Sequence, residues 1–200
     1  MLVLEKPPGL LCVPGRGADK QDCLSARAQS RFHDALVVHR LDMATSGLLL
    51  MARGKPAQQT LSRAFAERRV HKTYVALVHG CPLAPAGDWG LIDLPIALDW
   101  PNRPRRIIHA ENGKPSRTRW RPLPHAEPAY ARVELEPVTG RSHQLRVHLM
   151  AIGHPIVGDP LYASVSGDAA QLRLYLHASE LRFRHPVTAE PMAFTSPVPF

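Results

Sequence analysis

Residues 35–52 read Ala35-Leu36-Val37-Val38-His39-Arg40-Leu41-Asp42-Met43-Ala44-Thr45-Ser46-Gly47-Leu48-Leu49-Leu50-Met51-Ala52. The apolar runs 35–38 and 48–52 have the length of buried strands, and a polar segment closed by Gly47 separates them. A loop held between two core strands can present a group in a fixed position. Its one carboxylate is Asp42, with Arg40 two positions before it and Thr45 and Ser46 just after. An Asp in a loop ordinarily bonds its own backbone and shapes a turn. It is the placement between core strands that makes Asp42 a candidate. A lone carboxylate does not fit paired acid/base hydrolysis, which needs a second one at a set distance. It fits a nucleophile kept ionised by a neighbouring cation.

Working outward, Pro56 at a first helical position precedes Leu61, Ala64 and Phe65 on one face, while Arg63, Arg68 and Arg69 lie off that face or near its end. That pattern is an amphipathic helix with cations at its C-terminal pole. Residues 73–78 are rich in β-formers, and Tyr74 there reads as a half-buried strand aromatic. Residues 81–128 hold nine prolines and are expected to form hairpins and loops around short strands such as 106–109. Ala131, Val133 and Leu135 alternate with Arg132, Glu134 and Glu136, the period of a half-buried strand. After the turn at 138–141, Ser142 is placed to cap a helix with Leu145, Leu149 and Ile152 as its apolar stripe and Gly153 and Pro155 as its stop. Strands come in runs between two or three helices without βαβα alternation. The expected class is α+β, with a largely antiparallel mixed sheet and flanking helices.

Two hundred residues with 44% hydrophobic content suffice for one self-supporting domain, two at most. The formal charge is +8, and it is unevenly spread. Residues 53–72 carry six Lys/Arg against Glu67, and residues 101–121 carry seven against Glu111. Such clusters attract polyanions, and phosphate contacts supply the sequence-independent part of nucleic-acid affinity. The bland alternative is a solvated basic surface. Cys12, Cys23 and Cys81 form no C-x-x-C pair, so neither a disulfide framework nor a zinc ribbon is encoded, and a reducing cytoplasm is expected. No apolar h-region opens the chain and no run approaches the ~20 residues of a membrane span. Eleven histidines invite a metal reading, but His143 and His148 are five apart, on poorly matched faces of a helix, and no H-E-x-x-H occurs. No Walker A loop or G-x-G-x-x-G supports nucleotide-driven chemistry. No metal and no cofactor are expected.

The segment His39-Arg40-Leu41-Asp42-Met43-Ala44-Thr45-Ser46-Gly47 resembles the H-R-L-D-x-x-T-S-G signature of RluA-type pseudouridine synthases. Lys6-Pro7-Pro8-Gly9-Leu10 resembles that family's K-P-x-G-L motif, and Lys72-Thr73-Tyr74-Val75-Ala76 its K-x-Y-x-A strand. Residues 140–148, Gly-Arg-Ser-His-Gln-Leu-Arg-Val-His, match G-R-x-H-Q-L-R-x-H, and segments 153–159 and 174–178 fit as well. The stretch Asp99-Trp100-Pro101-Asn102-Arg103-Pro104 looks more particular to the branch that acts on both a 23S rRNA hairpin and the anticodon stem-loop of certain tRNAs.

The resemblance implies a pseudouridine synthase catalytic domain over residues 1–200 with a central basic cleft and no N-terminal S4-like domain. Asp42 would be the catalytic aspartate, Arg141 the arginine that pairs with it, and Tyr74 the aromatic against the target base, assisting proton loss from C5. Arg40 would fill the gap left by a flipped nucleotide, since chemistry on a stacked base needs it extruded. His39 and Thr45 would bind the substrate, Leu174 and Leu176 wall the pocket, and Arg103, Arg105 and Arg106 grip RNA. The expected partner is structured RNA, and the expected state a cytoplasmic monomer. Family members usually have another strand before the K-P-x-G motif, whereas only residues 1–5 precede it here, so a truncated chain or a misassigned start is expected. Two alternatives compete. A non-catalytic RNA-binding module would need only the basic stretches. A metal-independent ribonuclease would use His143 with His148 or His71 as acid and base.

Overall fold

The computed structural model describes residues 1–83, 88–124, 129–163 and 173–200. Residues 84–87 and 125–128 of the proline-rich stretch therefore lie outside the described residues. In chain order the elements are β1 (Leu2–Lys6), a short 3-10 turn (Ala18–Lys20), α1 (Leu24–Arg31), β2 (Ala35–Val37), β3 (Ser46–Arg53), α2 (Lys55–Ala66), β4 (His71–His79), β5 (Gly90–Asp93), β6 (Ile96–Leu98), β7 (Arg106–Ile108), β8 (Arg117–Leu123), β9 (Tyr130–Pro137), α3 (Gln144–Ala151), β10 (Leu176–Arg184) and β11 (Pro191–Thr195). The class is α+β, and among the described ladders only β3 with β10 is parallel. Two compact units are present, Met1–Lys72 with His177–Pro199, and Thr73–Leu176 with Phe200.

In the first unit β3 is buried at every position but Arg53. β1 and β2 both pair with it antiparallel, at Leu4↔Leu49 and Leu36↔Ala52, and β10 joins in parallel at His177↔Ser46 and Ala178↔Gly47. A strand covered on both faces tolerates no polar alternation, which is why 48–52 is uniformly apolar. On one face Leu48, Leu50 and Ala52, two apart as a strand requires, receive Ala57, Leu61 and Ala64 of α2 together with Leu181 and Phe183. Fully buried Leu61 contributes about 2 kcal/mol of hydrophobic stabilisation. α2 starts at Lys55, one residue ahead of Pro56, after Gly54 turns the chain at φ 76°. Ahead of Pro7, residues 2–6 form β1.

The second unit is an antiparallel sheet in the order β4, β9, β8, β5, with β6 and β7 forming a separate hairpin. β9 alternates buried and half-buried as its sequence predicts. The hairpin packs on α3 through Ile96, Ile108, Val147 and Tyr162. Two expectations about α3 are corrected. Ser142 does not cap it: the residue before the helix is His143, in the left-handed region at φ 56° and without a side-chain cap bond. Nor does it present one apolar stripe, because six consecutive residues, Gln144 to Leu149, are all buried. Among the described residues no helix is long and apolar enough to cross a membrane.

Candidate active site

The loop between β2 and β3 is pinned on both sides of Asp42. Before it, Leu41 N–H donates to Cys12 Sγ and the thiol donates back to Leu41 O, each at 3.2 Å. After it, Met43 O accepts from Lys6 Nζ at 2.8 Å and from Gly9 N–H at 2.9 Å. Thr45 N–H donates to Asp42 O at 3.1 Å, closing a turn. Asp42 is half-buried, whereas Arg40 beside it is exposed and makes no hydrogen bond or ion pair among the described residues. The K-P-x-G-L segment thus serves as a clamp on the neighbours of Asp42.

Lys6 itself is fully buried. Its Nζ also donates to Pro7 O and Leu10 O at 2.8 Å, so all three ammonium donors meet carbonyls. Burial pushes its pKa down to about 8, against the pull of the nearby Cys12 and Asp42 charges. Lys6 is thus a buried cation in the same unit as Asp42. Only the buried environment distinguishes it, and no local sequence signal reports burial of a lysine.

His39 supports the loop from the other side. Its Nε2 accepts from Leu50 N–H at 2.9 Å, and its ring stacks on Phe65 with centroids 4.4 Å apart. Burial, with Lys72 adding to it, pushes its pKa down to about 3. The ring is therefore neutral with its proton on Nδ1, since Nε2 is the acceptor. Thr45 and Ser46 are buried. Ser46 Oγ bonds His177 Nδ1 and His177 Nε2 bonds Ser196 Oγ, both at 2.9 Å. At Gly47 (φ 105°) an added Cβ would sit 2.3 Å from Ala178 O. Glycine there is what allows β10 to cross directly behind the loop.

In the second unit Tyr74 is buried on β4 opposite Leu135. Arg141 is exposed in the turn between β9 and α3. Its backbone N–H donates to Gln144 Oε1 at 3.0 Å, and the same oxygen accepts from Thr139 Oγ1 at 2.7 Å. Gln144 Nε2 donates to Arg117 O at 2.8 Å and to Thr118 Oγ1 at 3.1 Å. Gln144 is the residue that holds the Arg141 turn, and sequence reasoning assigned it no role. Leu174 and Leu176 are buried apolar residues of this unit. Arg103 and Arg105 are exposed and Arg106 half-buried on the β6–β7 hairpin.

Other motif residues prove structural. Arg146 and Asp159 form a buried bidentate pair, both hydrogen bonds at 2.7 Å. Asp159 Oδ1 also accepts from Leu161 N–H at 2.9 Å. His148 is fully buried between Thr118 Oγ1 at 2.9 Å and Leu94 O at 3.0 Å, and burial lowers its pKa. A buried imidazole with both nitrogens engaged cannot shuttle protons to a phosphodiester, which removes the histidine-ribonuclease reading for His148. Three of the seven cations of the second basic cluster are also accounted for internally. Arg117 pairs with Asp93, Arg119 with Glu136 and Arg121 with Glu134.

Against known proteins, the model of a family described as RNA pseudouridylate synthase matches residues 1–151. The dual-specificity RNA pseudouridine synthase RluA of Escherichia coli (strain K12) is 48% identical over 200 residues, covering 100% of this chain and 90% of that protein. The Yersinia pestis protein of the same name is 47% identical over 194 residues, 97% of this chain and 93% of its own length. Among solved structures, Human RNA Pseudouridylate Synthase Domain Containing 1 superposes with a TM-score of 0.79 at 34% identity, covering 99% of this chain and 80% of that one.

Proposed function

Since the chain belongs to the RNA pseudouridylate synthase family and is an isomerase of that kind, we propose that it converts specific uridines to pseudouridine in both a 23S rRNA hairpin and a tRNA anticodon stem-loop, with Asp42 as its nucleophile. Dual specificity is what the name of the 48% identical relative states. The observation that carries the role of Asp42 is its position between two pinned neighbours, Leu41 on Cys12 and Met43 on Lys6 and Gly9. Such fixation is what a covalent catalyst needs to meet a reacting atom.

In the reaction Asp42 adds to the target nucleotide and the N1–C1′ bond breaks. The base then turns, C5 bonds to C1′, the bond to Asp42 breaks, C5 releases its proton and N1 takes one up. Atoms balance without oxidant, reductant or water consumed, so this chemistry calls for no cofactor. Tyr74, buried on β4, assists C5 proton loss, and Arg141 pairs with the Asp42 carboxylate. Arg40 enters the stack as the uridine is extruded. His39 and Thr45 hold the loop's shape, Leu174 and Leu176 line the base pocket, and Arg103, Arg105 and Arg106 bind phosphates. Residues 1–200 act as one catalytic domain, as a monomer in the cytoplasm.

The test is to incubate unmodified 23S rRNA fragments and anticodon stem-loops with the protein and map pseudouridine by carbodiimide adducts that stop reverse transcription. A stop at one uridine in each RNA class is expected. A stop in one class alone would overturn the dual range, and intact binding without any stop would favour the RNA-binding module.

A further inference from the structure

Residues 99–105 join β6 to β7 as a closed loop. Asp99 N–H donates to Arg105 O at 3.1 Å, Arg105 N–H to Asn102 O at 3.0 Å, and Asn102 Nδ2 to Asp99 Oδ2 at 3.0 Å. On this loop Trp100 is 66% exposed, more than any other aromatic side chain among the described large hydrophobics. An indole left in water on an ordered loop contributes little to the core and marks a contact surface. One face of the ring carries the Arg103 guanidinium, 4.7 Å from its centroid, which fixes its orientation. The loop is tied down below, where Arg106 N–H donates to Tyr162 OH at 2.8 Å and that hydroxyl bonds His143 Nδ1 at 2.8 Å.

The charges around Trp100 point to the kind of partner. Arg117, Arg119 and Arg121 each have an acid, but no ion pair among the described residues engages Arg103, Arg105 or Arg106. The one acid of the loop, Asp99, is taken by Asn102. Arg106 Nε is moreover buried with no hydrogen-bond partner, a donor that an incoming oxyanion would satisfy. A rigid exposed indole flanked by unpaired guanidinium groups matches an unpaired nucleobase and its adjoining phosphate.

We infer that the β6–β7 hairpin is a second RNA contact, in which Trp100 stacks on an unpaired base of the substrate and Arg106 takes the phosphate beside it. This rests on the pseudouridine synthase reading and adds a recognition element apart from the Asp42 loop. The contact is indifferent to base identity, because every base has a π-face. It selects RNAs that place an unstacked nucleotide at the right distance from the target uridine.

The experiment uses the full chain and an unmodified anticodon stem-loop. Wild-type protein, Trp100→Phe, Trp100→Ala and Arg106→Gln are compared for Kd, salt dependence and tryptophan fluorescence on titration. One stacked base is worth about 1–3 kcal/mol, so Trp100→Ala should raise Kd by roughly 5- to 150-fold, while Trp100→Phe restores most of the affinity. RNA should quench wild-type fluorescence but not that of Trp100→Phe, which retains Trp89 and Trp120. The slope of log Kd against log salt should stay unchanged in Trp100→Ala and fall by about 1 in Arg106→Gln. Wild-type binding and turnover with Trp100→Ala binding equally well, or with quenching retained in Trp100→Phe, would overturn the platform alone. Absence of both binding and turnover in the wild type, with 23S rRNA fragments as well, would instead overturn the synthase reading. Binding of a protein partner that is lost in Trp100→Ala while RNA affinity stands would overturn it in favour of a protein-docking surface.

Discussion

At the scale of the residue, Lys6 shows how a buried charge can shape a reactive loop. Its three donors hold carbonyls from two segments distant in sequence. Replacing it by Met leaves Pro7 O and Leu10 O without that donor and Met43 O held by Gly9 N–H alone. Each unsatisfied group costs about 1–3 kcal/mol, offset in part by relief of the desolvated ammonium. Lys6→Met is expected to lower stability by about 2–4 kcal/mol in urea unfolding and to lower single-turnover kcat at least tenfold at saturating RNA, where stability alone no longer limits the rate. Gly47 is constrained more simply. Gly47→Ala places Cβ 2.3 Å from Ala178 O at φ 105°, and denaturation should register a loss of about 3 kcal/mol or more. The candidate status of Asp42 was legible because two apolar runs bracket it. The clamp was not, since a thiol and an ammonium bonding backbone from far along the chain leave no periodic trace.

At the scale of the element, helices and strands were legible where one face alone is buried, as in α2 and β9. They were obscured where a side chain takes an unusual role. α1 is capped by the Cys23 thiol, which accepts from Ala26 N–H at 3.5 Å, and its buried face offers only Leu24, Ser25 and Ala28. Neither the cap nor the stripe has the ordinary composition. α3 begins after a left-handed His143, with Gln144 rather than Ser142 satisfying the turn. The Arg146–Asp159 pair ties α3 to the following turn, in a dry setting where removing one partner strands the other's charge. Arg146→Met should therefore cost about 3–5 kcal/mol, and adding Asp159→Asn should return part of it. A double-mutant cycle by chemical denaturation measures the coupling, and simple additivity would contradict the structural role.

At the scale of the whole molecule, charge was legible in amount but not in availability. Three arginines of the second basic cluster are neutralised by strand neighbours, and Arg53 and Arg69 of the first pair with Asp34 and Glu67. Pairing across a sheet depends on register, which composition does not encode. Acid sensitivity follows from the buried imidazoles. His39 and His148 both have lowered folded pKa values. The unfolded chain therefore binds more protons as pH falls below about 6.5, and stability is lost toward the folded values, for His39 down to about 3. Each such group contributes a slope of up to about 1.4 kcal/mol per pH unit. His39→Gln, which keeps an acceptor for Leu50 N–H, should flatten the stability curve between pH 6 and about 4 in urea titrations; an unchanged slope would mean the ring is not held neutral.

In the proposed reaction Asp42 carries the chemistry, and other groups of the chain position it and the RNA. The direct measurement is release of tritium from uridine labelled at C5 in an unmodified anticodon stem-loop, comparing the wild type with Asp42→Asn. Release by the wild type and none by the variant is expected, with RNA affinity unchanged within about twofold, since the isosteric amide alters no phosphate contact. Release by Asp42→Asn at the wild-type rate would contradict the role of Asp42.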